Sequence, residues 1–359
     1  MSATEGKQAS LHKARRSRND EFYTRLEDIE REVRHYSEHF RGKTVFLNCD
    51  DPYESDFFKY FAMSFNHLGL KKLISVSYAG SSIVGGQLPL LEIAGLRDAP
   101  PPREPYKVEI TETPDLNDDG AIDLLDIREL LKSDANTISL LSGDGDFRSS
   151  ESLELLEQSD IVVTNPPFSL FPEFVSQLIE HRKKFLILGN MNAVTYRDIW
   201  PLIRDGQIWL GVTRTGTGSM WFRVTDDAPE KTGQKIENGT RYQTVGSSAW
   251  FTNLDHARRH DEIPLFRKYY DEPELYPNYD NFVGIEVSRV NDIPVDYSGF
   301  MGVPITFLGK HNPDQFDIVA YSRKSHIPND MMLHVGLNHS QPYIKGKAIY
   351  DRIFIRRKM

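Results

Sequence analysis

The sequence predicts an α/β protein, an open and mostly parallel sheet with helices on its faces, followed by a β-rich C-terminal third. Three observations carry this. Strand, polar turn, helix and strand alternate twice, over residues 44–78 and again over 138–188. Each of those strands runs into polar residues at its C-terminal end, the edge where an open α/β sheet lines its ligand crevice. Beyond residue 208 the apolar runs become short and are separated by Gly, Pro and Asn.

From Asp20 to about Phe40, Leu26, Ile29 and Val33 recur at helical spacing, acids lead and proline is absent, which predicts a helix. Thr44–Asn48 predicts a strand that ends in the turn Cys49-Asp50-Asp51-Pro52. The run FFKYFAMSFNHLGL then predicts a helix and Lys72–Tyr78 a second strand. Residues 80–135 break the rhythm with Gly, Pro and acids and read as an insertion. The alternation resumes with the strand Ile138–Leu141, the turn Ser142–Phe147, a helix over Ser150–Gln158 and the strand Ile161–Thr164. After Asn165-Pro166-Pro167-Phe168 come a helix from about Pro172 to Arg182 and the strand Phe185–Leu188. The runs Ile208–Val212, Met220–Val224, Ala249–Thr252, Thr306–Leu308 and Ile349–Ile355 read as short strands. A basic arm over residues 1–18, an α/β domain over 19–253 and a β-rich region over 254–359 follow as the expected division.

At 359 residues, 39% hydrophobic and 26% charged, the chain can bury a substantial core, and global disorder is excluded. The single cysteine, Cys49, excludes a disulfide framework and a multi-cysteine metal site. The longest uncharged stretch, Leu73–Leu91, carries Gly80, Gly85, Gly86 and Pro89 and does not read as a membrane span; no signal peptide is visible. A cytoplasmic setting is expected. The net charge of −9 hides a division: the first 18 residues carry +4, from Lys7, Lys13, Arg15, Arg16 and Arg18 against Glu5. Residues 345–359 carry +5, so the stretch between carries −18, of which −7 falls within residues 109–134. Basic ends around an acidic middle are compatible with phosphate contacts, because local charge sets such contacts; solvated tails would read the same way.

The sharpest motif is Asn165-Pro166-Pro167-Phe168 directly after an apolar strand. Two prolines stiffen the loop and remove two donors, leaving the Pro166 carbonyl to accept from a ligand beside the Asn165 side-chain amide. An exocyclic amine held between two acceptors is forced towards sp³ geometry and becomes nucleophilic, while Phe168 is placed to stack on the ring that bears it. Cys49 lacks the Pro-Cys pairing expected of a thiolate that attacks cytosine C5.

With DEFYTRLEDIE, NCDDPYESDFFKYFA, GDGDFRSSES and DIVVTNPPFSLF in this order, the chain resembles the EcoRI-type adenine-specific DNA methyltransferases. The resemblance implies a Rossmann-like S-adenosylmethionine-dependent methyltransferase sheet with an acidic insertion and a β-rich C-terminal target-recognition region. It implies catalysis at Asn165, Pro166, Pro167 and Phe168. It assigns Phe22, Tyr23 and Thr24 to the methionine end of the cofactor, and Asn48, Cys49, Asp50, Asp51 and Pro52 to its amino acid portion, with an Asp on the ammonium or else serving as a helix N-cap. Ser77 and Tyr78 stand where relatives place an acid on the ribose, and no acid is present here. Asp144, Asp146 and Phe147 match the block that binds the cofactor adenine. Duplex DNA is the implied partner, contacted by Lys13, Arg15, Arg16 and Arg18 in the arm and by Arg258, Arg259, Arg289, Arg323, Arg352, Arg356 and Arg357 in the C-terminal third. A monomer in a bacterial cytoplasm, encoded by the cell, a phage or a plasmid, and a restriction endonuclease acting on the same site complete the expectation. The alternatives are an RNA or protein-glutamine methyltransferase with the same amine pocket, or a DNA-binding relative without catalysis.

Asp115, Asn117, Asp119, Asp123 and Asp126 stand at positions 1, 3, 5, 9 and 12 of an EF-hand-like loop with Gly120 at position 6, so structural Ca²⁺ is weighed against a solvated acidic turn. His35/His39 and His256/His260 have ligand spacing but no third ligand nearby, and they read as surface histidines rather than a metal site.

Overall fold

The computed structural model describes residues 24–52, 55–77, 105–113, 137–213, 220–224, 233–237, 239–244, 247–323, 326–333 and 341–358. The chain divides into unit 1, Met1–Met191 and Thr213–Leu254, and unit 2, Asn192–Val212 and Asp255–Met359.

In unit 1 the first described helix is α1 (Leu26–Val33), whose Ile29, Glu32 and Val33 are buried. A 3₁₀ turn at Arg34–Tyr36 interrupts the helical pattern before its last turn. Strand β1 (Thr44–Leu47) is buried at all four positions. Ser55 caps α2 (Asp56–Met63), accepting from the Phe57 N–H at 3.1 Å. The long helix expected here breaks at Ser64 and ends at Gly69, whose left-handed φ of 62° closes the following turn. Strand β2 (Lys72–Val76) pairs parallel with β1.

The segment read as an insertion contributes a strand to the main sheet. In β3 (Tyr106–Ile110), Tyr106, Val108 and Ile110 are buried and alternate with half-buried Lys107 and Glu109, the period-two pattern of a sheet strand. Glu109 takes Lys72 at 2.5 Å and Lys107 at 3.4 Å, so charges that look solvated in the sequence are paired on the sheet face. β3 lies antiparallel to β2 and to β4 (Thr137–Leu140). Then come α3 (Ser150–Gln158), capped by Ser149, β5 (Ile161–Thr164), α4 (Phe171–Glu180) and β6 (Lys184–Asn190).

The chain passes to unit 2 for β7 (Trp209–Leu210) and returns with β8 (Trp221–Arg223), β9 (Gln234–Glu237), β10 (Thr240–Thr244) and β11 (Ser248–Thr252). Strands β8, β10 and β9 form a separate antiparallel sheet, and β11 runs antiparallel to β6. The main sheet of unit 1 is thus ordered β4-β3-β2-β1-β5-β6-β11, with the parallel strands β2, β1, β5 and β6 at its centre. Its faces are packed by aromatic contacts such as Phe57 with Trp250 and Phe171 with Phe251.

Unit 2 is built on β12 (Ile285–Glu286), β13 (Met301–Val303), β14 (Phe316–Tyr321), the hairpin β15 (Tyr343–Ile344) and β16 (Lys347–Ala348), and β17 (Ile353–Arg357). The sheet order is β12-β13-β17-β14, over a core of Tyr279, Phe282, Ala320, Ile327, Met331 and Phe354. The expected strand Thr306–Leu308 is instead part of a 3₁₀ helix, Ile305–Lys310. The Phe307 N–H turns back to the Pro304 carbonyl, and Phe307 and Leu308 are both buried, which an alternating strand in a one-sided sheet would not allow.

Candidate active site

β1 and β5 are neighbours in parallel register, Val45 beside Ile161 and Phe46 beside Val162, so their polar C-terminal extensions emerge side by side. Asp50, after β1, is buried. Its Oδ2 accepts from Thr164 Oγ1 at 2.5 Å and its Oδ1 from Ser55 Oγ at 2.7 Å, while Ser75 Oγ donates to its backbone carbonyl at 2.6 Å. Thr164 Oγ1 accepts in turn from the Cys49 N–H at 3.1 Å. The backbone N–H of Asn165 also faces the Asp50 carboxylate. One buried carboxylate therefore joins the first turn, the capped start of α2 and the residue that opens the Asn-Pro-Pro-Phe loop. Among the described residues no cation neutralises it, and burial pushes its pKa up to about 7 against the pull of these hydrogen bonds.

Ser55, not Asp50, is the N-cap of α2, and the two Asp50 carboxylate oxygens accept from Ser55 Oγ and Thr164 Oγ1. Asp51 is half-buried and accepts from the Tyr106 hydroxyl at 3.4 Å, which makes it the acid of this turn that stays at the surface of the crevice. Burial raises the Cys49 thiol well above its ordinary pKa, and Asp50 raises it further, which removes the thiolate that C5 chemistry requires.

In the loop itself, Pro166 is buried while Asn165, Pro167 and Phe168 are half-buried. Leu170 donates to the Pro167 carbonyl at 2.9 Å, and among the described residues the Pro166 carbonyl has no donor. The loop keeps this shape because Phe171 starts α4 against β6, its ring lying where a side chain at Gly189 would be, 2.4 Å from an added Cβ.

The third piece is the turn after β4. Gly145 takes a left-handed φ of 76°, and the Asp146 N–H binds Asp144 Oδ1 at 2.9 Å. Arg148 holds Asp146 with two side-chain hydrogen bonds, 2.8 and 2.6 Å, reaches Glu173 on α4 at 3.3 Å and lies 5.1 Å from the centre of the Phe147 ring. Phe147 packs edge-on against Phe174 of α4 and its carbonyl receives Gln177.

Thr24 and Asn48 are both buried, and among the described residues Thr24 Oγ1 and both polar atoms of the Asn48 side chain have no hydrogen-bond partner. Buried polar atoms without partners are costly in a finished interior and ordinary in a ligand cradle. Thr24 stands next to the start of α1, which Asp56 ties to α2 by accepting from the Leu26 N–H at 3.2 Å. Ser77, by contrast, is spent on β3: it accepts from the Tyr106 N–H at 2.9 Å. Sequence reasoning missed Ser55, Ser75, Thr164 and Arg148, of which only Thr164 had a signal, its place directly before the motif.

Phe22, Tyr23, Tyr78, Lys13, Arg15, Arg16, Arg18 and the acidic loop of Asp115, Asn117, Asp119, Asp123 and Asp126 lie outside the described residues. Among the described residues no group of three or more His, Cys, Asp and Glu is placed to hold a metal. His256 caps a 3₁₀ turn and bonds the Leu210 carbonyl, and His260 sits between Asp255 and Asp314. No helix among the described residues is long and apolar enough to cross a membrane.

The C-terminal arginines fall into two groups. Arg352 is bound to buried Glu286, Arg357 to the Val295 carbonyl, Arg258 to the Val212 carbonyl, and Arg259 lies over the Trp209 ring. Arg289, Arg323 and Arg356 are exposed, the last two with an Asp351 and an Asp317 partner at 2.9 and 3.7 Å.

The family model of the adenine-specific methyltransferase EcoRI matches residues 10–358. The chain belongs to this family. It is 42% identical to the Type II methyltransferase M.EcoRI of Escherichia coli, over 97% of this chain and 96% of that one. It is 35% identical to the Type II methyltransferase M.MpnI of Mycoplasma pneumoniae, over 97% and 98% of the two chains. No solved structure matches. The chain is thus an adenine-specific DNA methyltransferase, and S-adenosylmethionine is its methyl donor. The unpartnered Thr24 and Asn48 atoms and the surface-facing Asp51 suit a ligand with an amino acid end, so the crevice fits that donor.

Proposed function

We propose that methyl transfer takes place at Asn165 and Pro166 on an adenine turned out of duplex DNA. S-adenosylmethionine supplies the electrophilic methyl group. The Asn165 side-chain carbonyl and the Pro166 backbone carbonyl accept the two N6 hydrogens, Pro167 stiffens the loop and Phe168 stacks on the base. Thr24, Asn48 and Asp51 hold the amino acid end of the cofactor, Phe22 and Tyr23 are assigned to the same end by the family motif, and Cys49 and Pro52 shape the turn. Asp146 and Phe147 form the adenine end, with Asp144 bracing the turn; each carboxylate oxygen has two acceptor sites, so Asp146 can take an amine while it holds Arg148. Asp50 and Thr164 are positioning residues. The single supporting observation is the Pro166 carbonyl, stiff, undonated among the described residues and next to Asn165.

Target recognition is assigned to residues 254–359, with Arg289, Arg323 and Arg356 as contacts, and phosphate contacts to the arm of residues 1–18. The protein acts as a monomer, one strand at a time, in a bacterial cytoplasm, alongside a restriction endonuclease of the same site. A structural Ca²⁺ in the loop of residues 115–126 belongs to the same proposal, and absence of heat on titrating Ca²⁺ into chelator-stripped protein removes it. The test of the reaction is incubation with unmethylated genomic DNA and cofactor followed by modification mapping: N6-methyladenine appears at one recurrent sequence, and its absence overturns the reading. Asn165→Ala lowers turnover at least about 100-fold with cofactor affinity nearly unchanged, as expected for lost transition-state contacts; lost cofactor binding contradicts the assignment.

A further inference from the structure

Residues 341–350 form a feature that neither the crevice nor the arginines account for. The two-residue turn between β15 and β16 has Lys345 and Gly346 at left-handed φ values of 51° and 73°, the conformation of a tight hairpin turn. The backbone of this hairpin is tied down at five points. The Gly346 N–H donates to Asp280 Oδ2 at 2.7 Å, the Asp280 N–H to the Tyr343 carbonyl at 2.8 Å and the Tyr343 N–H to Asn281 Oδ1 at 3.0 Å. Asn281 Nδ2 donates to the Gln341 carbonyl and the Ile349 N–H to the Pro342 carbonyl, both at 2.9 Å. Ile344 and Ile349 pack on the core of unit 2.

The other side of the ribbon is open. Lys345, Gly346, Lys347 and Ala348 are exposed, and Tyr350, at 88%, is the most exposed large apolar side chain among the described residues. The segment contains no acid, and neither lysine has an ion-pair partner among the described residues. A patch of two cations and one aromatic lacks the apolar centre of a protein interface and suits a polyanion. A two-stranded ribbon also has the width that a major groove admits.

We propose that the β15–β16 hairpin is a duplex-DNA contact of this methyltransferase, with Lys345 and Lys347 on phosphate oxygens and Tyr350 on sugar and base edges. It rests on duplex DNA being the substrate. The order already present in the ribbon lowers what must be immobilised on binding.

The test is filter binding of labelled, sonicated, unmethylated genomic duplex over a range of salt concentrations, which needs neither turnover nor the recognition sequence. Lys345→Gln/Lys347→Gln reduces the slope of log affinity against log salt by about 1.8 and weakens binding roughly tenfold at moderate salt. Lys347→Glu alone reduces the slope by at least as much as one lost phosphate contact, about 0.9. Tyr350→Ser weakens binding severalfold at an unchanged slope. Melting temperature and cofactor affinity stay at wild-type values. An unchanged slope and affinity in both lysine variants overturns the proposal, whether or not N6-methyladenine is made; missing methylation with a lowered slope overturns only the catalytic reading.

Discussion

Asp50 in unit 1 and Glu286 in unit 2 are both buried carboxylates, and they are held in opposite ways. Glu286 in unit 2 takes Arg352 through Nε and Nη2, the Tyr279 hydroxyl at 2.5 Å and Ser288 at 3.1 Å. Asp50 in unit 1 takes only hydroxyls and a backbone N–H, with no cation. An ion pair closed on itself fixes β12 against the start of β17 and leaves nothing to do. A carboxylate without a cation stays close to its titration range while it sets the direction of Asn165. The first arrangement suits architecture; the second suits the proposed role of the Asn165–Phe168 loop.

That contrast orders three expected outcomes. Arg352→Met strands Glu286 without its cation and costs about 3–5 kcal/mol in urea unfolding, the range for breaking a buried pair, with cofactor affinity in the folded fraction unchanged. Thr164→Val removes the donor to Asp50 and the acceptor of the Cys49 N–H and costs about 1–3 kcal/mol. In that variant turnover falls more than cofactor affinity, and Thr164→Ser restores it; a variant with full turnover would separate Asp50 from Asn165. The third outcome is a pH slope. Because the folded pKa of Asp50 is raised to about 7 from the ordinary carboxylate value, the folded chain holds a proton that the unfolded chain has lost between about pH 4 and 7. Its contribution is greatest in acid and declines as pH rises through this window. Stability of the wild type relative to Asp50→Asn therefore falls from pH 4 to 7; a flat difference breaks the comparison, since it would mean that Asp50 does not titrate there.

The central strands were legible because they are apolar runs closed by polar turns: Ile161–Thr164 and the helix Ser150–Gln158 have the bounds read from sequence alone. The strand Tyr106–Ile110 was hidden because its two charged residues pair on the sheet, and a one-dimensional pattern shows charges but not partners. Thr306–Leu308 was misread since a three-residue apolar run carries no period. Within the site, the reading of Asn165–Phe168 came from residue types alone, an amide and two prolines directly after an apolar strand. The link between Asp50 and Thr164 spans 114 positions and has no local signature. The sorting of the arginines was out of reach for the same reason: Arg352 and Arg356 differ in what lies across the sheet, Glu286 for one and Asp317 for the other.

The distance along the chain between Asp50 and Thr164 also bears on how the protein is born. At ordinary synthesis rates, about 5–20 residues per second, a ribosome takes roughly 6–20 s to travel from the first to the second. During that interval β1 has no β5 beside it, and the buried acid has only Ser55 as a side-chain donor. The acceptor loop takes its final direction only when a closure of more than a hundred residues is complete. A nascent or prematurely terminated chain that ends before β5 thus lacks both the Thr164 donor to Asp50 and the whole Asn165–Phe168 loop.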